Sequence, residues 1–279
     1  MSTLQNSAML ATLTISQWTN RKHDKSVSKE VEQQHQAKDA GRYNKMLIDK
    51  AALDPISKIA SAARMYHYKV TLPWGDNGDR LLPATLFMPY TDTMRQYKNE
   101  FAARVATFVR DYPLLVNDAR TRLGTMYDAM DYPLASDIAD KFAIETEFTP
   151  IPTAADFRVN LNQEYVDSIK TDITQKMAAR QADAVKHCWQ RIREVVEHLE
   201  ERLSDKDKTF RDSLISNAVE LIDILPALNI TGDTELERTA AEVKAILVAP
   251  ERLRADEGLR ADTAARAAAI LASLPFAAA

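Results

Sequence analysis

A chain of 279 residues with 46 % hydrophobic residues is long enough for one large domain or two small ones, and it has the apolar content of a packed core. Lys and Arg number 36 against 40 Asp and Glu, a formal net charge of −4, which excludes a protein that coats a phosphate backbone with its whole surface. A single cysteine, Cys188, excludes an internal disulfide framework and a thiolate-rich metal cluster.

The chain opens with Leu10-Ala-Thr-Leu-Thr-Ile-Ser-Gln-Trp18, where Leu13 and Ile15 alternate with hydroxyl residues, and this predicts a half-buried strand with a turn at Asn20. Nothing in the first thirty residues has the uninterrupted apolar run of a signal peptide. Nowhere do 18 consecutive residues stay apolar and uncharged, so the expectation is a soluble cytoplasmic protein, in the host cell if phage-encoded. Residues 24–50 are mostly polar. Across residues 1–50 eight Lys and Arg meet five Asp and Glu, a basic arm in a chain that is negative overall.

A helix is expected over Leu53–Arg64, and Tyr66–Trp74 is read as extended. Gly75–Arg80 then supplies turn formers before the apolar run Leu81–Phe87. The Asn77-Gly78 pair gives the positive backbone angles that a hairpin needs, so Gly78→Val is expected to disturb folding or registration and Asp76→Asn to be tolerated. Pro73 and Pro83, lacking a donor, belong at strand ends or on an edge. The hairpin, the 10–18 strand and the run Phe157–Leu161 are expected to form one small sheet.

From Tyr90 the period becomes helical. Met94, Tyr97, Phe101, Val105, Phe108 and Tyr112 recur at steps of three or four, and Pro113 marks an end or a kink. Shorter helices are expected over Leu114–Met130 and Leu134–Phe142. The longest element starts near Gln163. Val166, Ile169, Ile173, Met177, Val185, Cys188, Ile192, Val195, Leu199 and Leu203 mark a seam over roughly forty residues, about 60 Å of helix, for which Tyr90–Tyr112 is the expected antiparallel neighbour. Helices follow over Phe210–Leu225 and Thr234–Leu247. The Ala-rich tail 251–279 gains order only if Leu253, Leu259, Ile270 and Leu274 dock.

The fold class is therefore α+β and predominantly helical, with long antiparallel helices and a small antiparallel β-sheet. Three regions are expected: 1–50 as a strand and polar basic arm, 51–225 as a helical core whose sheet comes from 66–87 and 157–161, and 226–279 as a partly ordered helical extension.

Few residues suggest chemistry. Only six glycines are present and no phosphate-binding glycine loop, so no cofactor is expected. His187 and His198 lie eleven apart, too far along a helix to share a metal. His187-Cys188 cannot face each other as base and nucleophile, no metal site is assigned, and no catalytic residue is named. Asp128, Asp131, Asp137 and Asp140 could converge on metal ions in a nuclease, although caps and solvated faces explain such residues more often. Arg21, Lys22, Tyr68, Lys69, Trp74 and Arg80 make the aromatic-plus-basic mixture of a single-stranded nucleic-acid platform, for which core packing is the commoner explanation. Val166, Ile169, Ile173, Ile192 and Leu199 are the candidate interaction seam. That seam is longer than its expected neighbour, which points to self-association or a protein partner.

Ile15–Trp18 with Arg21-Lys22-His-Asp24, Thr71–Trp74 with Gly78-Asp-Arg80, Asp131-Tyr-Pro133, and Pro150–Pro152 with Asp156-Phe-Arg158 together resemble a family of bacteriophage and mobile-element proteins, the DUF3150 type, over about residues 8–220. The resemblance carries no catalytic residue. It implies a phage or mobile-element setting near AAA-type ATPases, von Willebrand-like metal-adhesion proteins or recombination proteins. The functional expectation is a non-enzymatic interaction or accessory protein, with a single-stranded DNA-binding accessory protein second and a metal-dependent nuclease third. An AAA-type ATPase or a second copy is the expected protein partner, and no membrane is involved.

Overall fold

The computed structural model describes residues 4–75, 77–154 and 162–275. It is α+β and predominantly helical, and no helix among the described residues is long and apolar enough to cross a membrane. The chain forms two compact units. The first takes Met1–Thr12, His67–Tyr90 and Glu147–Ala279, and the second takes Leu13–Tyr66 and Thr91–Thr146.

A short helix α1 (Leu4–Ser7) leads into β1 (Ala8–Ser16), where the alternation around Leu13 and Ile15 gives the strand expected there. In the second unit β2 (Arg21–His23) and β3 (Asn44–Met46) pair antiparallel with Lys22 opposite Lys45, on either side of helix α2 (Lys25–Gln34). Asn20 closes the entry to β2 at a φ of 56°, which asparagine tolerates better than most residues. Its side chain exchanges two 2.8 Å hydrogen bonds with the backbone of Ile48, so its buried amide is satisfied.

Helix α3 (Asp54–Val70) runs further than the expected boundary at Arg64, so Tyr66, His67 and Tyr68 are helical rather than extended. Burial on the spacing Ile56, Ala60, Ala63, His67 and Val70 explains why: the helical period continues through the aromatic cluster. The hairpin survives in shortened form as β4 (Leu72–Pro73) and β5 (Arg80–Pro83), with Leu72 opposite Leu81. Pro73 sits on the edge strand and Pro83 closes β5 opposite Ala8, the places where a missing donor costs least. The sheet order is β4-β5-β1-β6, and its last strand β6 (Ala143–Thr149) falls where the sequence reading had no strand. The strand expected over Phe157–Leu161, the Asp156–Arg158 motif and Asp76 lie outside the described residues.

Helix α4 (Phe87–Leu123) passes through Pro113 without ending. Tertiary packing holds both sides of the proline: Phe108, Tyr112 and Ala119 are buried, and the Trp18 ring lies 6.3 Å from Phe108 and 5.9 Å from Tyr112. That anchoring overrides the local cost of the lost hydrogen bond. The helix expected over Leu134–Phe142 is instead a series of turns with a single 3-10 turn at Ala139–Lys141. Ile138 and Phe142 are its core anchors, Phe142 packing edge-on to Phe101 and Phe108.

Helix α5 (Gln163–Ser204) is the expected rod, begun by an Asn162 side chain that accepts from the Glu164 amide. Its neighbours inside the first unit are α6 (Ser213–Leu228), α7 (Thr234–Ile246) and above all α9 (Glu257–Ser273), the last reached through α8 (Pro250–Ala255). The role expected of Tyr90–Tyr112 is taken there by α9. It runs antiparallel to α5: Arg260 near its start bonds carbonyls at the end of α5, and Pro275 past its end shares a groove with Ala178 and Gln181. Ala264 and Ala267 are buried in this core, where small side chains let two helix backbones approach, and Leu253, Ile270 and Leu274 add apolar bulk.

Candidate functional site

Two buried polar clusters stand out, one in each unit. In the second unit the Lys45 ammonium lies 2.7 Å from Asp131 Oδ2 and 3.4 Å from Asp24 Oδ2, and it donates to the Met126 carbonyl at 2.7 Å. All three side chains are 12 % exposed or less, while Lys22, also facing Asp131 at 3.8 Å, is mostly in solvent. Each member has a local reason to be there. Asp24 caps α2 by accepting from the Ser26 and Val27 amides, β3 carries Lys45, and Asp131 ends the turn that Asp128 caps.

The Ser26 hydroxyl and Val27 amide, helped by Lys45, hold the Asp24 carboxyl at about 2. Burial by itself would depress Lys45, but the Asp131 and Asp24 carboxylates outweigh it and raise the ammonium above its ordinary value. A lysine held charged in this way is neither a base nor a nucleophile at neutral pH; it locks the β2–α2–β3 segment to the turn before Tyr132. Tyr132 completes the lock by donating to the Leu47 carbonyl at 2.7 Å.

In the first unit the end of α3 is the centre. Arg191 on α5 donates to the carbonyls of Tyr68, Lys69 and Thr71 at 2.6–2.8 Å, and Arg80 on β5 donates to Thr71 Oγ1 and to its carbonyl. Thr71 in turn donates to the His67 carbonyl. Carbonyls of the last helical turn lack intrahelical donors, and cations suit the negative end of the helix dipole. His67 Nδ1 meets the Tyr90 hydroxyl at 2.8 Å.

Burial, followed by the Arg80 charge, holds His67 at about 4, and burial with Arg191 and Arg80 does the same to His187. Both histidines are neutral at pH 7. Burial and Arg191 lower Arg80 to about 10, and it stays charged. Burial pushes the Cys188 thiol up to about 11, which makes it an inert core residue.

The sequence candidates separate across these units. Tyr68, Lys69, Trp74 and Arg80 belong to the first, Arg21 and Lys22 to the second. Tyr68 is 53 % exposed with the Arg80 guanidinium 4.8 Å from its ring centre, and Lys69 pairs with Glu220 at 2.6 Å. Trp74 is only 1 % exposed, so its ring fills the core and offers no stacking face: here core packing is the correct reading. Of the seam, Ile192 and Leu199 are buried against the other helices, whereas Val166, Ile169 and Ile173 are only half-buried.

Among the described residues no three His, Cys, Asp or Glu side chains converge as metal ligands, and of the four aspartates considered Asp131 faces lysines and Asp128 caps a turn. Sequence reasoning missed Lys45, Arg191 and His67. Lys45 was one cation of the basic arm and Arg191 one charge on a long helix, and no local signal told either from its neighbours. Comparison with protein-family models, with curated proteins and with solved structures gives no match.

Proposed function

We propose that the chain is a non-enzymatic interaction protein that binds a protein partner through the first half of α5. The observation that carries this reading is the burial along that helix. Every buried residue of α5 lies at or beyond Ala184, while the seam continues back through Met177, Ile173, Ile169 and Val166, and Tyr165 is 67 % exposed. Residues 163–183 amount to about 30 Å of amphipathic helix. Such a stripe on a helix is a ready surface for a partner helix or groove.

The resemblance in the motifs supplies the setting we propose with it, an accessory role in a phage or mobile element beside an ATPase or recombination machinery. A photo-crosslinking residue at position 169, compared with one at the exposed Gln190, tests the surface. Protein crosslinks from 169 that survive nuclease treatment support the reading. Equal yields from both positions would defeat it.

A further inference from the structure

Arg260 shows what capping a helix end requires. Alone, it donates to the carbonyls of Arg202, Leu203, Asp205, Lys206 and Lys208 around the end of α5. At the end of α3, Arg191 alone likewise covers Tyr68, Lys69 and Thr71, yet Arg80 converges on Thr71 as well. A second guanidinium at one helix end is surplus to capping. Burial and the Arg191 charge lower Arg80, burial lowers Arg191 with Glu194 partly offsetting it, and neither arginine has a carboxylate ion-pair partner among the described residues.

The surplus charge has a direction. Arg80 lies over the exposed Tyr68 ring, while Arg180 stands eleven residues before Arg191 on α5, about 16 Å away on nearly the same face, with His187 between them. The Arg180 guanidinium passes beside Gly75, where an added Cβ would come within 3.3 Å of its Nη2, and it too has no ion pair among the described residues. A ring with an arginine against it and further arginines in line is the arrangement by which proteins hold unpaired bases and their phosphates.

We propose that the strip Tyr68, Arg80, Arg191 and Arg180 binds single-stranded nucleic acid, with Tyr68 stacking on a base and the arginines facing phosphates. The site is confined to the first unit, and Arg180 lies on α5 seven residues beyond Ile173, at the end of the stripe and on nearly the same face. The site discards four members of the sequence-based platform: Arg21 and Lys22 belong to the second unit, Trp74 is enclosed, and Lys69 is paired with Glu220. Duplex binds less well because its bases are stacked on one another and leave no face for Tyr68.

The test uses the purified full chain and a 5′-fluorescein oligothymidylate of twelve nucleotides, read by fluorescence anisotropy at 50 and 200 mM salt. Arg80 and Arg191 cap α3, so the diagnostic variants are Tyr68→Ala and Arg180→Ala, whose side chains make no hydrogen bond among the described residues. Affinity should fall as salt rises. Tyr68→Ala should weaken binding by about 5- to 100-fold with Tyr68→Phe restoring it, and Arg180→Ala should lower the salt slope by about 0.7, all with unchanged melting. No binding by the wild-type chain at 50 mM salt, or binding that neither substitution changes, would overturn the proposal.

Discussion

Replacing Lys45 with methionine tests the cluster of the second unit most directly. Methionine keeps most of the aliphatic bulk, so the change removes the charge with little cavity. What remains is a pair of carboxylates, Asp24 and Asp131, each about nine-tenths buried, together with a Met126 carbonyl that has lost its 2.7 Å donor. Breaking a buried ion pair from one side costs about 3–5 kcal/mol, far above the ~0–1 kcal/mol of a surface pair. The mostly solvated Lys22 beside Asp131 and the Ser26 and Val27 donors to Asp24 compensate in part, so the lower end of that range is expected. The loss is confined to one unit of a two-unit chain, so a single global melting curve is the wrong readout.

Hydrogen exchange over β2, α2 and β3 follows the local opening, and protection there should fall by roughly two to three and a half orders of magnitude. Adding Asp131→Asn should recover part of the loss by removing one stranded charge. A fall worth less than about 1 kcal/mol would refute the reasoning, because it would mean that water already screens the cluster as it screens a surface pair.

Acid should act on the two units in different pH ranges. His67 and His187 have folded values of about 4, below their ordinary 6.5; the unfolded chain therefore binds protons first, and the first unit should lose stability as pH falls from about 6.5 to 4. Asp24, held at about 2 against 3.8, supports the second unit down to pH 4 and loses that support only below it, while the support from Lys45 is complete below 10.5 and lost in alkali; exchange at pH 7, 5 and 3 reads both units. Arg191→Met should destabilise the first unit by about 2–4 kcal/mol in urea titration, and Arg191→Lys should recover less than half, since an ammonium cannot reproduce a planar fork that reaches three carbonyls. Gly78→Val should cost about 1–2 kcal/mol without loss of the fold: φ is +90°, but a Cβ there meets nothing within 4 Å, so the penalty is backbone strain alone, and hydrogen exchange over β5 measures it.

Periodicity carried the secondary structure wherever one period ran unopposed. The alternation of β1 and the seam of α5 could be read in this way; the turn was legible from its composition, although of the Asn77-Gly78 pair only Gly78 takes a positive φ. Strand β6 was equally open to reading, because Ile144, Thr146 and Phe148 alternate with Glu145 and Glu147. Pro113 misled for a physical reason. Its cost is local and written in the sequence, whereas the packing of Trp18 that outweighs it joins residues ninety positions apart. The Ala-rich tail docks through residues on which its order was expected to depend: Leu253, Ile270 and Leu274 are buried, and the buried Ala264 and Ala267 are what a close approach to α5 needs.

The motif residues were conspicuous one by one, and their partners were not. Arg21–Asp24 and Asp131–Pro133 are separated by more than a hundred residues; Lys22 reaches Asp131 at 3.8 Å from solvent, and Lys45, unremarkable in sequence, joins them in the interior through Asp24 and Asp131. Thr71–Trp74 and Gly78–Arg80 likewise meet through Thr71 and Arg80, with Arg191 supplied from α5. Most of these residues therefore have a structural duty already: one group locks a two-stranded segment, the other caps a helix. A residue with such a duty would be retained whatever the protein binds, so the motifs argue for the fold more than for an activity. Function is better sought in groups the fold does not use. Tyr68, Arg180 and the stripe from Val166 to Ile173 come nearest to that: the Tyr68 ring meets Arg80 but is 53 % exposed, Arg180 has no ion pair among the described residues, and the stripe is only half-buried, so substitutions there separate binding from folding.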